Sequence, residues 1–318
     1  MKEPRKHHFI SKCYLKGFTS DGTEEGAIFA INVRTGKSFE TNINDAGAKR
    51  DFNAVEGQAA GFVERQIADV EGVIAPALAR IIQGRSIAVR DDWNAFLNLA
   101  SMFAVRNPRF RKTMDKFMAD VLNGIMQVAL ATPERWASQV KQMREAGWDK
   151  PEVTYEEMKR VLKEDAGQWD VSRGFHIEME FAGSIEEVLK TLVHRNWTLM
   201  VAEGDVGNFI TSDHPVCLSH TDGNASSFQR PAGHGMTETT VLLPISKNLL
   251  AVGTFEGKVE TVNATRVQVA RLNSLVAQHT EDHIYASDDQ FPIWLGRNYM
   301  AKGADIGDFI KTRAKPCY

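Results

Sequence analysis

The period of the hydrophobic residues changes near Trp197, and this change limits the fold most strongly. From about residue 55 to residue 130, apolar side chains recur with the spacing of one face of an α-helix. After Trp197 the spacing is that of strands, with short β-rich runs bounded by glycine, proline and asparagine. A helical centre followed by a strand-rich C-terminal part predicts an α+β fold.

Two β hairpins are predicted from local patterns. In the first, Ala27–Val33 is rich in β-forming residues, Arg34–Lys37 is typical of a turn, and Ser38–Asn42 is the returning strand. In the second, Trp197–Ala202 and Asn208–Thr211 flank a turn that contains glycine. We therefore expect an N-terminal β hairpin and a C-terminal, mostly antiparallel sheet, both packed against a central helical region.

We expect a single α+β domain over residues 1–318. Residues 132–183 contain the most polar and charged part of the chain. Pro133 stands at a favoured first helical position, and Thr154 with Glu157 fits a capping box, so this segment is predicted to be helical. We interpret it as a helical insertion or lid, and a pair of solvated surface helices is the alternative.

Charge and cysteine content limit the function classes. The net charge of −3, from 38 basic and 41 acidic residues, argues against a surface that coats nucleic acid, although local basic clusters remain. Three widely spaced cysteines disfavour a disulfide framework or a paired-cysteine zinc site. Without an apolar leader or a long apolar run, we expect a cytoplasmic protein with no membrane contact.

Titratable side chains lie within apolar segments at two distant places. His7 and His8 belong to Lys6–Phe18, and Asp213 belongs to Phe209–Val216. Burial of such groups costs free energy unless they are paired, bind a metal or take part in chemistry. We therefore predict His7, His8 and Asp213 as ligands of a divalent metal. The alternatives are a solvated arm for the histidines and, for Asp213, a turn in which its carboxylate binds backbone amides.

Two glutamates and an arginine complete the predicted catalytic set of Glu64, Glu71, Arg106 and Asp213. Glu64 and Glu71 are seven residues apart, so a helix places them on one face. Arg106 ends an apolar run, where its guanidinium is suited to bind phosphate or carboxylate. The alternatives are a charged edge of an amphipathic helix for the glutamates, and an ion pair with Asp213 or a glutamate for Arg106.

Segments along nearly the whole chain resemble the DUF4238 family. They are, in order, Lys6–Phe18, Asp51–Asn53, Glu64–Glu71, Ala104–Pro108, Trp197 with Phe209–Val216, and Leu243–Ser246. Two positions depart from the pattern: Ser11 stands where such openings often have proline, and His214 fills a variable position. The resemblance implies a bacterial or phage-associated protein of unassigned function, and indicates which residues cluster rather than what they do.

Two functions remain open from the sequence. The first is a metal-dependent hydrolase, a phosphodiesterase or nuclease-like effector, that acts on nucleic acid or another phosphate-containing ligand. The second is a non-enzymatic binding or regulatory module, in which the same residues form a buried polar network between the N-terminal strand and the C-terminal sheet. Convergence on one open cleft of three or more of His8, Glu64, Glu71, Arg106 and Asp213 would favour the hydrolase.

Overall fold

The structure is a computed structural model, and it describes residues 5–58, 61–148, 153–164, 169, 171–222, 230–295 and 299–313. The strands are β1 Lys6–His8, β2 Ile28–Asn32, β3 Lys37–Thr41, β4 Ala48–Arg50, β5 Asn196–Val201, β6 Thr211–Ser212, β7 Cys217–His220, β8 Thr239–Ser246, β9 Leu249–Thr254, β10 Glu260–Asn263, β11 His283–Ala286, β12 Pro292–Trp294 and β13 Met300–Lys302. The helices are α1 Lys12–Leu15, α2 Phe62–Gly84, α3 Arg90–Val105, α4 Pro108–Ala129, α5 Pro133–Glu145, α6 Tyr155–Glu164, α7 Arg173–Met179, α8 Ile185–Leu192, α9 Arg266–His279 and α10 Ile306–Arg313. None of the described helices is both long enough and apolar enough to cross a membrane.

The predicted N-terminal hairpin is confirmed. Strand β2 pairs with β3 in antiparallel register, and Gly36 in the turn has a φ of 67°, which side chains with a Cβ rarely adopt. This hairpin forms one half of a four-stranded sheet with the order β3-β2-β11-β6. Strands from the C-terminal half of the chain therefore extend the hairpin, while β1 pairs separately with β4.

The C-terminal sheet is mostly antiparallel, as predicted. Its order is β10-β5-β9-β8-β7, and only the β10–β5 pair in it is parallel. Alternate residues along its strands face opposite sides, so Leu199 and Leu243 belong to one apolar core while Met200 and Leu242 belong to another. The sheet thus separates two cores.

Each core joins the C-terminal sheet to different elements. The first core contains the N-terminal segment, α2 and α3, and here Phe96 of α3 meets Trp197 of β5 edge to face, with ring centroids 4.8 Å apart. The second core contains α9 and strands of the four-stranded sheet, with Val269 and Val276 fully buried. The central helices therefore pack on the sheet as expected, and the N-terminal segment is enclosed between them.

The second predicted hairpin is wrong. Strand β5 pairs with β9 and β10, whereas β6 pairs with β11 in the other sheet. Between them the chain turns through the 3-10 helix Gly204–Val206 to Gly207, which has a φ of 90°. A Cβ at Gly207 would lie 2.3 Å from the Cδ of Pro292. The turn signal was correct, but it does not reveal which sheet the next strand joins.

The described part of residues 132–183 is largely helical. Helix α5 is attached through the Trp136 indole, which donates a hydrogen bond to the Val153 carbonyl at 3.1 Å. The Tyr155 hydroxyl at the start of α6 donates to the Leu130 carbonyl at 3.2 Å. The helices match the prediction, whereas the role of this segment as a lid stays a prediction, as does a single domain over the whole chain.

Candidate functional site

The junction between α3 and α4 positions Arg106. Pro108 begins α4, since proline is favoured in the first turn and cannot continue α3. The Asn107 side chain accepts a hydrogen bond from the Phe110 amide at 2.8 Å and donates to the Phe103 carbonyl at 2.9 Å. Asn107 therefore caps the start of one helix and binds the end of the other, which fixes the backbone at Arg106.

The Arg106 guanidinium is buried, with only 1% of the residue exposed. Its Nη2 donates to the His8 carbonyl at 2.6 Å, while Nε and Nη1 have no hydrogen-bond partner among the described residues. Burial lowers the pKa of Arg106, and the nearby Glu180, Glu71 and Glu64 act in the opposite direction. Buried donors without a partner cost free energy. The Nε and Nη1 groups of Arg106 are therefore available to bind acceptor atoms of a ligand.

A buried ion pair lies beside Arg106. Arg111 donates from Nε to Glu180 Oε1 at 2.6 Å and from Nη2 to Glu180 Oε2 at 3.0 Å. The same guanidinium lies 3.5 Å above the centre of the Phe52 ring and donates to the Phe52 carbonyl. Glu180 is fully buried at the first residue of the π-helical turn Glu180–Ser184. Of the acidic side chains that oppose the lowering of the Arg106 pKa, Glu180 acts most strongly, followed by Glu71 and Glu64.

His7, Asn53 and Glu64 form a second network. The Asn53 amide donates to His7 Nδ1 at 2.9 Å, and the Asn53 side chain donates to Glu64 Oε1 at 2.6 Å. Since Nδ1 accepts a hydrogen bond, neutral His7 carries its proton on Nε2 and cannot donate from Nδ1 to Glu64, 3.6 Å away. The Glu64 side chain remains 34% exposed, so this network connects the buried region to solvent.

His8 and Glu71 lie at the edge of the same region. His8 is half-buried, its Nε2 is 3.1 Å from the Ile43 carbonyl, and burial lowers its pKa. Glu71 is half-buried on α2, two turns after Glu64. The pKa of Cys13 is raised to about 12, first by burial and then by the charge of Glu71. Glu71 therefore faces the N-terminal segment, as the predicted helix face requires.

Asp213 binds a different set of groups. Its carboxylate accepts hydrogen bonds from the backbone amides of Glu281, Asp282 and His283, at 2.9, 2.6 and 3.2 Å. Burial raises the pKa of Asp213 to about 6, although the three amides act in the opposite direction. The alternative of an amide-bound carboxylate is therefore the observed geometry, but the amides lie 68 to 70 residues further along the chain. Asp213 joins β6 to the segment that enters β11.

The predicted metal ligands thus have separate partners. His7 binds the Asn53 amide, His8 lies against a backbone carbonyl, and Asp213 binds three amides. Within the described ranges, no three His, Cys, Asp or Glu side chains are grouped to hold a metal ion. A metal shared by His7, His8 and Asp213 stays a prediction that these contacts do not support. Of the predicted catalytic set, Glu64 and Glu71 lie near Arg106.

Two members of the buried region were not predicted as site residues. Glu180 stands between Met179 and Phe181, and Arg111 follows Phe110, so both charges occur among apolar neighbours. A charge in such a place needs a partner of opposite sign, which is the signal that could have identified each of them. Their pairing spans 69 residues and has no local signal.

A family model matches the part of the chain that carries this region. It is described as a protein of unknown function (DUF4238), and it matches residues 6–290 of the 318. The chain belongs to the DUF4238 family. No curated protein and no solved structure gives a significant match. The match to DUF4238 includes the residues around Arg106 as well as Asp213, so both the buried region and the amide-bound carboxylate belong to the family segment.

Proposed function

We propose that this DUF4238 protein is a metal-dependent hydrolase that acts on phosphate esters, with its active site at Arg106. The observation that carries the proposal is the buried Arg106 guanidinium, whose Nε and Nη1 have no partner among the described residues. Burial lowers the pKa of Arg106, and the charges of Glu180, Glu71 and Glu64 oppose this lowering. An arginine with free donors beside carboxylates is suited to phosphoryl chemistry, which needs both charge types.

The charges of the region favour a ligand that arrives with a cation. Arg106 and Arg111 stand against Glu64, Glu71 and Glu180, which leaves a formal charge of −1 when the histidines are neutral. A phosphate alone would increase this negative charge, whereas a phosphate with a divalent cation balances it. Mg²⁺ is commonly held by one or two carboxylates together with substrate phosphates and water. Such a site needs no preformed group of three protein ligands.

The exposure of the side chains suggests their roles. Glu64 is 34% exposed and Glu71 half-buried, whereas Arg106 is enclosed, so a ligand would approach from the glutamates with its phosphate directed inward. The glutamates would bind the cation, which lowers the pKa of a bound water. Glu64 would accept a proton from that water, and Arg106 would stabilise the charge that develops on the phosphate.

A non-enzymatic binding or regulatory module is the second candidate. It is favoured by the backbone contacts of the polar residues, since Arg106 binds the His8 carbonyl, His8 binds Ile43, and Asp213 binds three amides. Each of these contacts joins segments that are distant in the chain. In such a module the Arg106 region would bind a phosphate-containing ligand without cleaving it.

Hydrolysis of a chromogenic phosphodiester with Mg²⁺ or Mn²⁺ distinguishes the two candidates. We expect metal-dependent turnover in the wild type, and a decrease of about 100-fold in Glu71→Gln and in Arg106→Lys. The matched control is Asp69→Asn, an exposed carboxylate on the same helix, which should retain activity within about twofold. Folding of each variant is checked by circular dichroism. Absence of metal-dependent turnover on phosphodiesters and single-stranded nucleic acids would refute the hydrolase.

A further inference from the structure

A second site of interest is a cavity of about 640 Å³ in the described part of the chain. It lies between the loop from α2 to α3, the start of α3, the edge strand β10 and its neighbour β5. Its lining includes the polar and aromatic residues Ser86, Arg90, Trp93, Arg195, Trp197 and Glu260. The volume is in the range of pockets that bind small molecules. The lining does not include the residues of the Arg106 region, so this cavity is a separate feature.

Arg195 brings an uncompensated charge to the cavity. The residue is only 3% exposed, and its guanidinium donates to the carbonyls of Thr239, Gly253 and His234 and to the Thr239 hydroxyl. All these acceptors are neutral, and the guanidinium carbon lies 4.5 Å from the centre of the Phe255 ring, so its contacts within the ranges described include no carboxylate. Nε has no hydrogen-bond partner among the described residues. Burial lowers the pKa of Arg195 to about 10. A buried cation without a counter-charge favours an anionic ligand.

Trp93 brings a flat apolar surface to the same cavity. One part of its ring stacks on Phe96, with centroids 6.0 Å apart and an angle of 26° between the planes. Trp93 is half-buried and lines the cavity, whereas Trp197 is enclosed and donates its indole N–H to the Leu192 carbonyl. A partly exposed indole held by a neighbouring ring is a rigid platform for a planar ligand.

We propose that this cavity binds a small molecule that combines a planar aromatic ring with one anionic group. The ring would stack against Trp93, and the phosphate or carboxylate would lie at Arg195. Arg90 and Glu260 are exposed at the cavity and offset each other, so the lining carries a formal charge of +1 that one anionic group balances. The proposal does not depend on the hydrolase, because it uses other residues.

Isothermal titration calorimetry of the full chain tests whether binding needs both the aromatic ring and the anionic group. The probes are adenosine monophosphate and indole-3-acetate, with adenosine and inorganic phosphate as the corresponding fragments. We expect at least one anionic aromatic probe to bind, and each fragment to bind about tenfold more weakly or not at all. The phosphate and carboxylate probes distinguish the two sources of the negative charge.

Variants locate the binding. Trp93→Ala should lower the affinity about tenfold, whereas Trp148→Ala, which removes a tryptophan outside the cavity lining that is 59% exposed, should leave it unchanged. Arg195→Lys removes the planar guanidinium at the proposed anion position. Arg90→Gln removes one positive charge from the exposed part of the cavity lining without disturbing buried contacts. Absence of binding by both anionic aromatic probes at millimolar concentration, or wild-type affinity in Trp93→Ala, would overturn the proposal.

Discussion

The ion pair between Arg111 and Glu180 should dominate the stability of the region around Arg106. In Glu180→Gln the carboxylate that accepts two charge-assisted hydrogen bonds becomes an amide, and its NH₂ group faces the guanidinium. Both side chains are buried, so the change leaves Arg111 as an uncompensated buried cation. Removal of one partner from such a pair costs about 3–5 kcal/mol. For a chain of this size that corresponds to a decrease of roughly 4–8 °C in the melting temperature.

Urea denaturation of a double-mutant cycle measures this coupling. Arg111→Met combined with Glu180→Leu replaces the pair by apolar side chains, so its cost should be mainly the lost hydrogen bond to the Phe52 carbonyl, about 1–3 kcal/mol. The double variant should therefore be more stable than either single variant. The control is Glu178→Gln, an exposed position two residues earlier, with an expected change below about 0.5 kcal/mol. A cost below about 1 kcal/mol for Glu180→Gln, or additive single changes, would refute the reasoning.

Three further predictions concern titratable groups. Burial raises the pKa of Asp213 from its ordinary 3.8 to about 6, so protonation of Asp213 stabilises the folded state. This contribution to the free energy of unfolding is largest below pH about 4 and is lost as the pH rises to about 6. In urea titrations at several pH values, Asp213→Asn should remove this pH dependence of the unfolding free energy. Burial lowers the pKa of His214 to about 3, so its ring NMR signals should not shift between pH about 8 and 5, and a midpoint near 6.5 would contradict this. With a pKa raised from 9.0 to about 12, native Cys13 should react with iodoacetamide at least about 30-fold more slowly than in urea, because the loss of thiolate exceeds the gain in its nucleophilicity; peptide mass spectrometry measures the two rates.

Elements with local signals were predictable from the sequence. The β2–β3 hairpin follows from its turn, where Gly36 supplies a positive φ. Helix α4 begins at Pro108 because proline is favoured there and Asn107 caps the helix. The shared face of Glu64 and Glu71 follows from helical spacing alone. In each case residues close in sequence determine the geometry.

Pairings between distant residues were not predictable in this way. The parallel pairing of β10 with β5, and the position of β11 between β2 and β6, depend on how whole strands pack. The burial of Asp213 was anticipated, yet its amide partners at Glu281–His283 carry no motif that would identify them. Glu180 and Arg111 can each be flagged as charges among apolar neighbours, but only the folded chain brings them together.

Binding of Mn²⁺, followed by electron paramagnetic resonance, measures whether the Arg106 region holds a cation and a phosphate ester together. In the proposed site a cation binds at Glu64 and Glu71 only when a phosphate ester is also bound at Arg106. A non-hydrolysable phosphodiester should therefore increase the affinity for Mn²⁺ by about tenfold or more, and Glu71→Gln should abolish this increase while Asp69→Asn retains it. Equal Mn²⁺ affinity with and without the phosphodiester, or an unchanged increase in Glu71→Gln, would contradict the account.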